Sequence, residues 1–369
     1  MGDQHLQVLV DSVGKKTRGS HQPRHYAGRV TLSNAPANPP GAVVVPIPRF
    51  TLQVDEPLAH GLKRLSLNEI EIAVSGFYEG EESFRLAVHE ARKSIKRIRA
   101  LLRLVRSEIG EKAFRYENSA LRDTGRLLSS VRSAAVTADG IEDIARVYGS
   151  LLAQGTFGEL TERLVIRRDQ TEERVMEDPE LIPKVVANLE RAHGRYSSWP
   201  TDPEARPVYG VGIRNTYQAV GPGLRLTYRR GRREMVAAYR SPVPATFHSW
   251  RKRTKYFRHQ LEILTPLWPE VVLGMALTMK RIGDLLGEDH DLAEILSLVS
   301  ERPDLCPNPV ERSLLNALVS QRRSDLQTAC RVLGKRIYAE SPDSLSNRFA
   351  AYWESADLAR SITLTSISF

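Results

Sequence analysis

The sequence predicts an all-α protein built from two related halves, and three observations support this. From residue 55 onward, apolar residues recur at intervals of three and four, as in amphipathic helices, and no segment alternates convincingly like a strand. A basic segment that begins at residue 89 recurs at residue 248. The chain carries 53 lysines and arginines against 44 aspartates and glutamates, a formal net charge of +9, which favours an anionic partner.

The two ends of the chain differ from the helical region. Residues 1–54 are rich in basic residues and histidines and include a proline-rich segment at 35–48. Because such a composition buries little apolar surface, we predict a disordered basic tail there. Residues 341–369 are predicted to be a C-terminal extension, and its Ser/Thr/Ile-rich end at 361–369 fits either a tail or a short strand.

The helical region begins at Asp55-Glu56-Pro57, which is typical of a helix N-cap and first turn. Three prolines between residues 197 and 207 indicate a linker at about 198–208. Helices are predicted near 56–76, 83–108, 112–132, 138–153, 157–177, 180–197, 209–239, 245–265, 269–287, 290–300 and 309–339.

Several classes of protein are disfavoured by composition. Cys306 and Cys330 form no CxxC motif, so neither a zinc finger nor a disulfide framework is expected. No apolar run approaches the ~20 residues of a membrane span, and the N-terminus lacks the apolar stretch of a signal peptide. A soluble cytoplasmic protein with no membrane partner is therefore expected.

The repeat has the form H-x-x-R-K-x-x-K-x-x-R, from His89 to Arg99 and again from His248 to Arg258. Its apolar positions also correspond, so each copy is expected to bury one stripe of a helix. The corresponding apolar positions are Val88, Ala91, Ile95, Ile98, Leu102 and Val105 in the first copy and Phe247, Trp250, Thr254, Phe257, Leu261 and Leu264 in the second.

A basic stripe follows each apolar stripe. Like charges at helical spacing repel each other by a few tenths of a kcal/mol per pair. A polyanion bound along the stripe would turn this repulsion into attraction. The alternative is that acidic neighbours neutralise the first helix, and the candidates are Glu69, Glu71, Glu81 and Glu82.

A second, weaker sequence similarity follows each basic helix. Gly125-Arg126-Leu127-Leu128 is similar to Gly283-Asp284-Leu285-Leu286, and residues 130–133 then align with 288–291. This pattern predicts two related helical bundles, about 55–197 and 209–340, that face each other about a pseudo-twofold axis and are accompanied by connecting helices.

These motifs, with Leu267-Trp268-Pro269 and the sequence Leu-Gly-Glu-Asp-His-Asp at 286–291, resemble the CHAD family, the conserved-histidine α-helical domain. The resemblance covers about residues 55–340. It implies two pseudo-symmetric four-helix bundles and a basic groove or pore that binds inorganic polyphosphate, with no known catalysis. It also implies a cytoplasmic protein, with association to polyphosphate granules as a further expectation.

One position departs from the family, which usually has an Arg-Asp pair where this chain has Arg132-Ser133. We expect a packing or capping role of that carboxylate to be lost. The chain is interpreted as a stand-alone CHAD protein, because only about 50 residues precede the helices and no triphosphate-processing tunnel domain is evident.

The predicted polyphosphate-binding residues come from both basic helices and from a second basic segment, 224–233, with Tyr228 as a support. They are Arg85, His89, Arg92, Lys93, Lys96, Arg97, Arg99, Arg103, Arg225, Arg229, Arg232, Arg233, His248, Arg251, Lys252, Lys255 and Arg258. The two histidines could instead be structural or, less favourably among arginines, bind a metal. The acidic segment Glu288–Asp291 is interpreted as a helix cap, with a cation site as the alternative.

No arrangement of nucleophile, base or paired carboxylates indicates an enzyme, and no cofactor is expected. Two other functions remain open. The same basic surface could bind nucleic acid, which would otherwise be a weaker competitor, although few aromatic residues interleave with the basic ones. A metal-dependent phosphohydrolase would need carboxylates beside the basic groove, and the only candidates lie at 288–291.

Overall fold

A computed structural model describes residues 48–78, 84–201 and 212–366, which belong to one compact unit. The predicted disordered tail up to residue 47 and most of the predicted linker lie outside the described residues. No helix in the described part of the chain is both long and apolar enough to cross a membrane.

The prediction of an all-α fold is confirmed, since the described residues form eleven α-helices and no strand. In chain order, α1 to α11 are Leu58–Ser75, Phe84–Leu104, Arg106–Leu127, Ser129–Val147, Gly158–Met176, Leu181–Ser197, Tyr217–Arg240, Pro244–Ile263, Pro269–Glu301, Pro309–Ile337 and Pro342–Ser366.

The two repeated helices, α2 and α8, lie at the centre of the fold and pack against each other. Both predicted apolar stripes are buried, for example at Ile95 and Ile98 on α2 and at Trp250 and Phe257 on α8. Burial of such a stripe supplies most of the stability of a helix in a protein, because intrinsic propensity is weak. The two basic helices are thus held side by side by their apolar faces.

Neighbouring helices surround this central pair. Helix α2 contacts α1, α3, α4 and α7, whereas α8 contacts α7 and α9. One large hydrophobic core runs through both halves, and a smaller one lies between α4, α5, the end of α9 and the start of α10. Equivalent glycines approach equivalent positions of the repeat, Gly125 near Ile95 and Gly283 near Thr254. The two pseudo-twofold bundles nevertheless stay a prediction.

Helix α9 corrects the interpretation of the acidic segment at 288–291. We predicted two helices with a cap between them, but Pro269–Glu301 is one continuous helix. Inside a helix the backbone N–H groups already have partners, so Glu288–Asp291 is not a cap. Asp289 is buried instead and accepts hydrogen bonds from Arg323 and Gln327 of α10.

The ends of the described region are also more ordered than predicted. Phe50 is buried and Thr51 donates a hydrogen bond to the Glu262 carbonyl, so the predicted tail boundary at residue 54 is too late. At the other end α11 buries Leu345 and Phe349 and continues to Ser366, so residues 361–366 are helical and not a tail or strand, and residues 367–369 lie outside the described ones. Helix α7 begins at Tyr217 and not near residue 209.

Helices α2 and α7 approach so closely that Gly223 admits no side chain. A Cβ atom there would lie 2.0 Å from the backbone oxygen of Leu104, whereas a Cβ at Gly194 in α6 would meet nothing within 4 Å. We expect Gly223→Ala to lower the free energy of unfolding by about 3 kcal/mol, because backbone must move. Gly194→Ala should raise it by about 0.5–1 kcal/mol through helix propensity.

Chemical denaturation of both variants checks this prediction. Equal stabilities for the Gly223 and Gly194 variants would contradict the close approach of α2 and α7.

Candidate functional site

Five basic side chains from three helices lie close enough to influence one another's charge, and we call them the central cluster. They are Arg92 and Lys96 of α2, Arg132 of α4, and Arg251 and Lys255 of α8. Equivalent positions of the repeat interact in it, Arg92 with Arg251 and Lys96 with Lys255. The packing of α2 on α8 therefore assembles the cluster from both copies of the motif.

Burial of these charges is their main electrostatic feature. Desolvation, followed by the charge of Arg92, lowers the pKa of Lys96 to about 7. Desolvation, followed by the charge of Arg251, lowers the pKa of Lys255 to about 6. The same burial lowers the pKa of Arg92 and of Arg251. The free protein is therefore poorly able to keep all five positive charges.

Hydrogen bonding leaves part of the central cluster unsatisfied. Arg92 donates to the carbonyl oxygen of Gly125 at 2.6 Å, but its buried Nε has no partner, and the buried Nε of Arg251 has none either. Within the described ranges, no acidic residue forms an ion pair with any of the five. Unsatisfied buried donors are uncommon in proteins and are often completed by a bound species.

Two carboxylates of α9, Asp291 and Glu294, lie beside the central cluster. Desolvation raises the pKa of both, although the charge of Arg251 opposes the rise. The sequence analysis did not select Glu294, and it named Asp291 only under the alternatives of a cation site and a phosphohydrolase, because 288–291 was interpreted as a cap. The alignment of residues 130–133 with 288–291 was the signal that could have placed α9, and with it Arg132, at the site.

The histidines of the site are held in the neutral form. The ring centroids of His248 and His290 lie 4.3 Å apart, and desolvation is the main cause that lowers their pKa values, to about 4 and about 3. His89 is exposed, and its pKa is lowered by desolvation and by Arg132. Neutral imidazoles can donate to an anion without adding to the repulsion.

A metal ion has candidate ligands on α9, since ligand atoms of His290, Asp291 and Glu294 lie within 4.8 Å of one another. The charges of Arg251 and Lys255 act on Asp291. A cation placed there would meet their repulsion, so the arrangement favours an anion instead.

Several predicted site residues are engaged elsewhere. Arg97 is buried and forms an ion pair with Glu69 at 2.9 Å, and Arg258 pairs with Glu262 at 2.7 Å. The alternative that acidic neighbours neutralise the first basic helix therefore holds for Arg97. Of the other candidates, Glu71 pairs with His193, and Glu81 and Glu82 lie outside the described residues.

The remaining predicted residues divide into paired and exposed ones. Arg85 pairs with Asp169 and Glu172, Lys93 with Glu90, Arg225 with Asp343 and Arg233 with Glu234. Lys252, Arg229 and Arg232 are exposed. Tyr228 does support α7, because its ring packs on Phe257 and its hydroxyl donates to backbone oxygens of Ile337 and Glu340.

Arg103 lies in a second basic group, which we call the arginine pocket. The pocket is lined by Arg103, Arg106, Leu226, Thr227, Arg230, Arg253 and Tyr256. Arg99 lies near the same tyrosine, with its guanidinium 6.0 Å from the ring centroid. The basic segment 224–233 was expected to enlarge the site, and the basic residue of that segment that lines this pocket is Arg230, which the sequence analysis did not select.

The family model of the CHAD domain matches residues 78–300. PptA from Streptomyces chartreusis is similar in structure, with a TM-score of 0.52 and 15% identity over 77% of this chain and 100% of that chain. The CHAD domain from the plant Ricinus communis has a TM-score of 0.43 and 16% identity over 77% and 93%. No curated protein sequence matches the chain.

The buried lysines give the stability of the free protein a defined pH dependence. An unfolded lysine keeps its proton up to about pH 10.5, whereas Lys96 and Lys255 lose theirs above about pH 7 and 6 in the folded protein. Between about pH 6 and pH 10.5 the unfolded chain therefore binds more protons than the folded protein, so the free energy of unfolding should rise with pH. We expect Lys96→Met or Lys255→Met to stabilise the fold by about 2 kcal/mol at pH 6 and by less at pH 9.

Thermal unfolding across that pH range measures the effect, and Lys280→Met is the matched control. Lys280 is exposed and pairs with Asp284, so its loss should change stability little. A gain for the central lysines that does not shrink toward pH 9 would show that their burial has been misjudged.

Proposed function

The chain belongs to the CHAD family, and from this premise we propose that it binds inorganic polyphosphate, without catalysis, at the central cluster. The observation that carries the proposal is the shortage of negative charge among the five half-buried basic side chains. Two carboxylates with raised pKa values are their nearby counter-charges. A bound polyanion would supply the missing negative charge.

The residue types of the central cluster suit a chain of phosphates. An arginine guanidinium can donate two parallel hydrogen bonds to phosphate oxygens, and a lysine ammonium acts as a compact point charge. Arg92 and Arg251 have unpartnered Nε groups for such bonds, and Lys96 and Lys255 follow them by about one helical turn on α2 and α8. Binding would restore full protonation of both lysines, because a nearby anion favours the charged form.

Nucleic acid is the second candidate and is less well supported. Single strands bind through aromatic rings on which bases stack, in addition to their phosphates. The aromatic residues within the repeat, Trp250, Tyr256 and Phe257, are buried and offer no open ring. Nucleic acid is therefore proposed only as a weaker competitor. Release of phosphate from polyphosphate in the presence of Mg²⁺ would instead favour the phosphohydrolase alternative.

Polyphosphate binding also suggests where the protein acts. A polyphosphate-binding protein would be recruited to granules of that polymer, and we propose this location within the cytoplasm.

Two double variants test the central cluster from each copy of the repeat. We expect Arg92→Gln with Lys96→Gln, and equally Arg251→Gln with Lys255→Gln, to weaken binding of long polyphosphate by about 100-fold. Each lost charge-assisted contact is worth about 1.5–3 kcal/mol when desolvated. Calorimetric titration at one fixed ionic strength, with DNA and RNA as competitors, provides the measurement.

The matched control removes two arginines that lie on exposed surfaces and pair with nearby acids, Arg146 and Arg302. Their double glutamine variant has the same net charge and should bind within about threefold of the parent protein. A folded central variant that binds as tightly as this control would rule out the central cluster. Tighter binding of DNA than of polyphosphate would show that nucleic acid, and not polyphosphate, is the preferred ligand.

A further inference from the structure

We propose that the arginine pocket is a second anion site that takes one phosphoryl group, and that a single polyphosphate chain can occupy it together with the central cluster. The second half of this statement rests on the proposed function. The pocket is built from α2, the start of α3, α7 and α8, and its residues Arg106, Arg230, Arg253 and Tyr256 play no part in the central cluster.

Aromatic rings hold the first arginine of the pocket in place. The guanidinium carbon of Arg103 lies 3.9 Å from the ring centroid of Tyr256 and 5.6 Å from that of Phe114. Phe114 also lies under Arg106, at 4.4 Å. A guanidinium stacked on a ring face keeps its N–H groups in the plane for an oxyanion. The side chain is therefore preorganised before any ligand arrives.

Three of the four arginines of the arginine pocket have no acidic partner, whereas the fourth, Arg106, pairs with Glu111. Arg103, Arg230 and Arg253 form no ion pair with an acidic residue of the described ranges, and the buried Nε of Arg253 has no hydrogen-bond partner. Desolvation lowers the pKa of Arg103 to about 10 and also lowers that of Arg230. Solvent-exposed arginines on this protein are commonly paired with acids, as Arg146 is with Asp143. An unpaired, desolvated set of three is what an anion site requires.

The size of the pocket limits the ligand. Its cavity volume is about 10 Å³, which is about the space that one water-sized group occupies. One phosphate oxygen can therefore enter, with the rest of the phosphoryl group at the mouth, whereas a nucleotide cannot enter. The apolar wall formed by Leu226 offers nothing to a longer polar ligand inside the pocket.

The position of the arginine pocket relates it to the central cluster. Lys96 and Arg103 lie seven residues apart on α2, which corresponds to about 10 Å along a helix. Arg251 and Arg253 lie two residues apart on α8, where side chains do not share one face, so the two sites are related chiefly through α2. Only an anion with several linked phosphates could reach both sites at once, and the first contact would raise the effective concentration for the second. The pair of sites would thus favour long chains over short ones.

The pocket is tested directly in a protein without the central cluster. In the Arg92→Gln, Arg251→Gln variant, inorganic pyrophosphate should shift the side-chain nitrogen resonances of Arg103 and Arg253 in a saturable way. The additional change Arg253→Gln assigns the signal of that residue. Unshifted resonances in the folded variant would overturn the second site, whether or not the protein binds polyphosphate.

The shared-chain claim needs a second measurement. In the otherwise unchanged protein, Arg253→Gln should weaken the binding of long polyphosphate by about tenfold. The control Arg146→Gln, which removes the same charge outside the pocket, should weaken it by less than twofold. Equal affinities for these two variants would overturn the claim of a shared chain. If the unchanged protein fails to bind polyphosphate, the proposed function falls, and the pyrophosphate titration still decides the pocket.

Discussion

Repulsion between like charges that two packed helices force together is the constraint on which the rest of the structure depends. Helices α2 and α8 each carry an apolar stripe and a basic stripe side by side, so burial of the first brings the second to the partner helix. The fold must offset this repulsion by its hydrophobic cores. It does so with large buried side chains such as Trp250 and Phe257 and with the tight contact at Gly223.

The protein treats its basic residues in two different ways. Arg97 and Arg258 are neutralised by Glu69 and Glu262 and serve the packing of the helices. The central cluster and most of the arginine pocket are left without such partners, at a cost to stability that a packed protein would otherwise avoid. That contrast separates the side chains that stabilise the fold from those that are available to a ligand. The basic pattern of the sequence alone does not distinguish these two groups.

The sequence predicted the helices well because helical periodicity is a local property. It also predicted which face of each repeated helix is apolar and that the two basic stripes belong together. It could not show that Glu69 on α1 would meet Arg97, since that contact depends on tertiary packing. The Arg258–Glu262 pair was within reach, because the two residues lie four apart on one helix. Glu294 was missed, and Asp291 entered only under the alternative functions, because an acidic run before further apolar residues is also typical of a helix start.

The central claim is that a polyanion completes a site whose free form cannot keep all its positive charges. The most direct measurement is the number of protons taken up when polyphosphate binds, obtained by calorimetry at pH 8 in buffers of different ionisation enthalpy. Lys96 and Lys255 have pKa values of about 7 and about 6 in the free protein, so both are mostly neutral at that pH. Uptake of about one to two protons per site is the predicted result. Binding with no uptake, or with release of protons, would contradict the account.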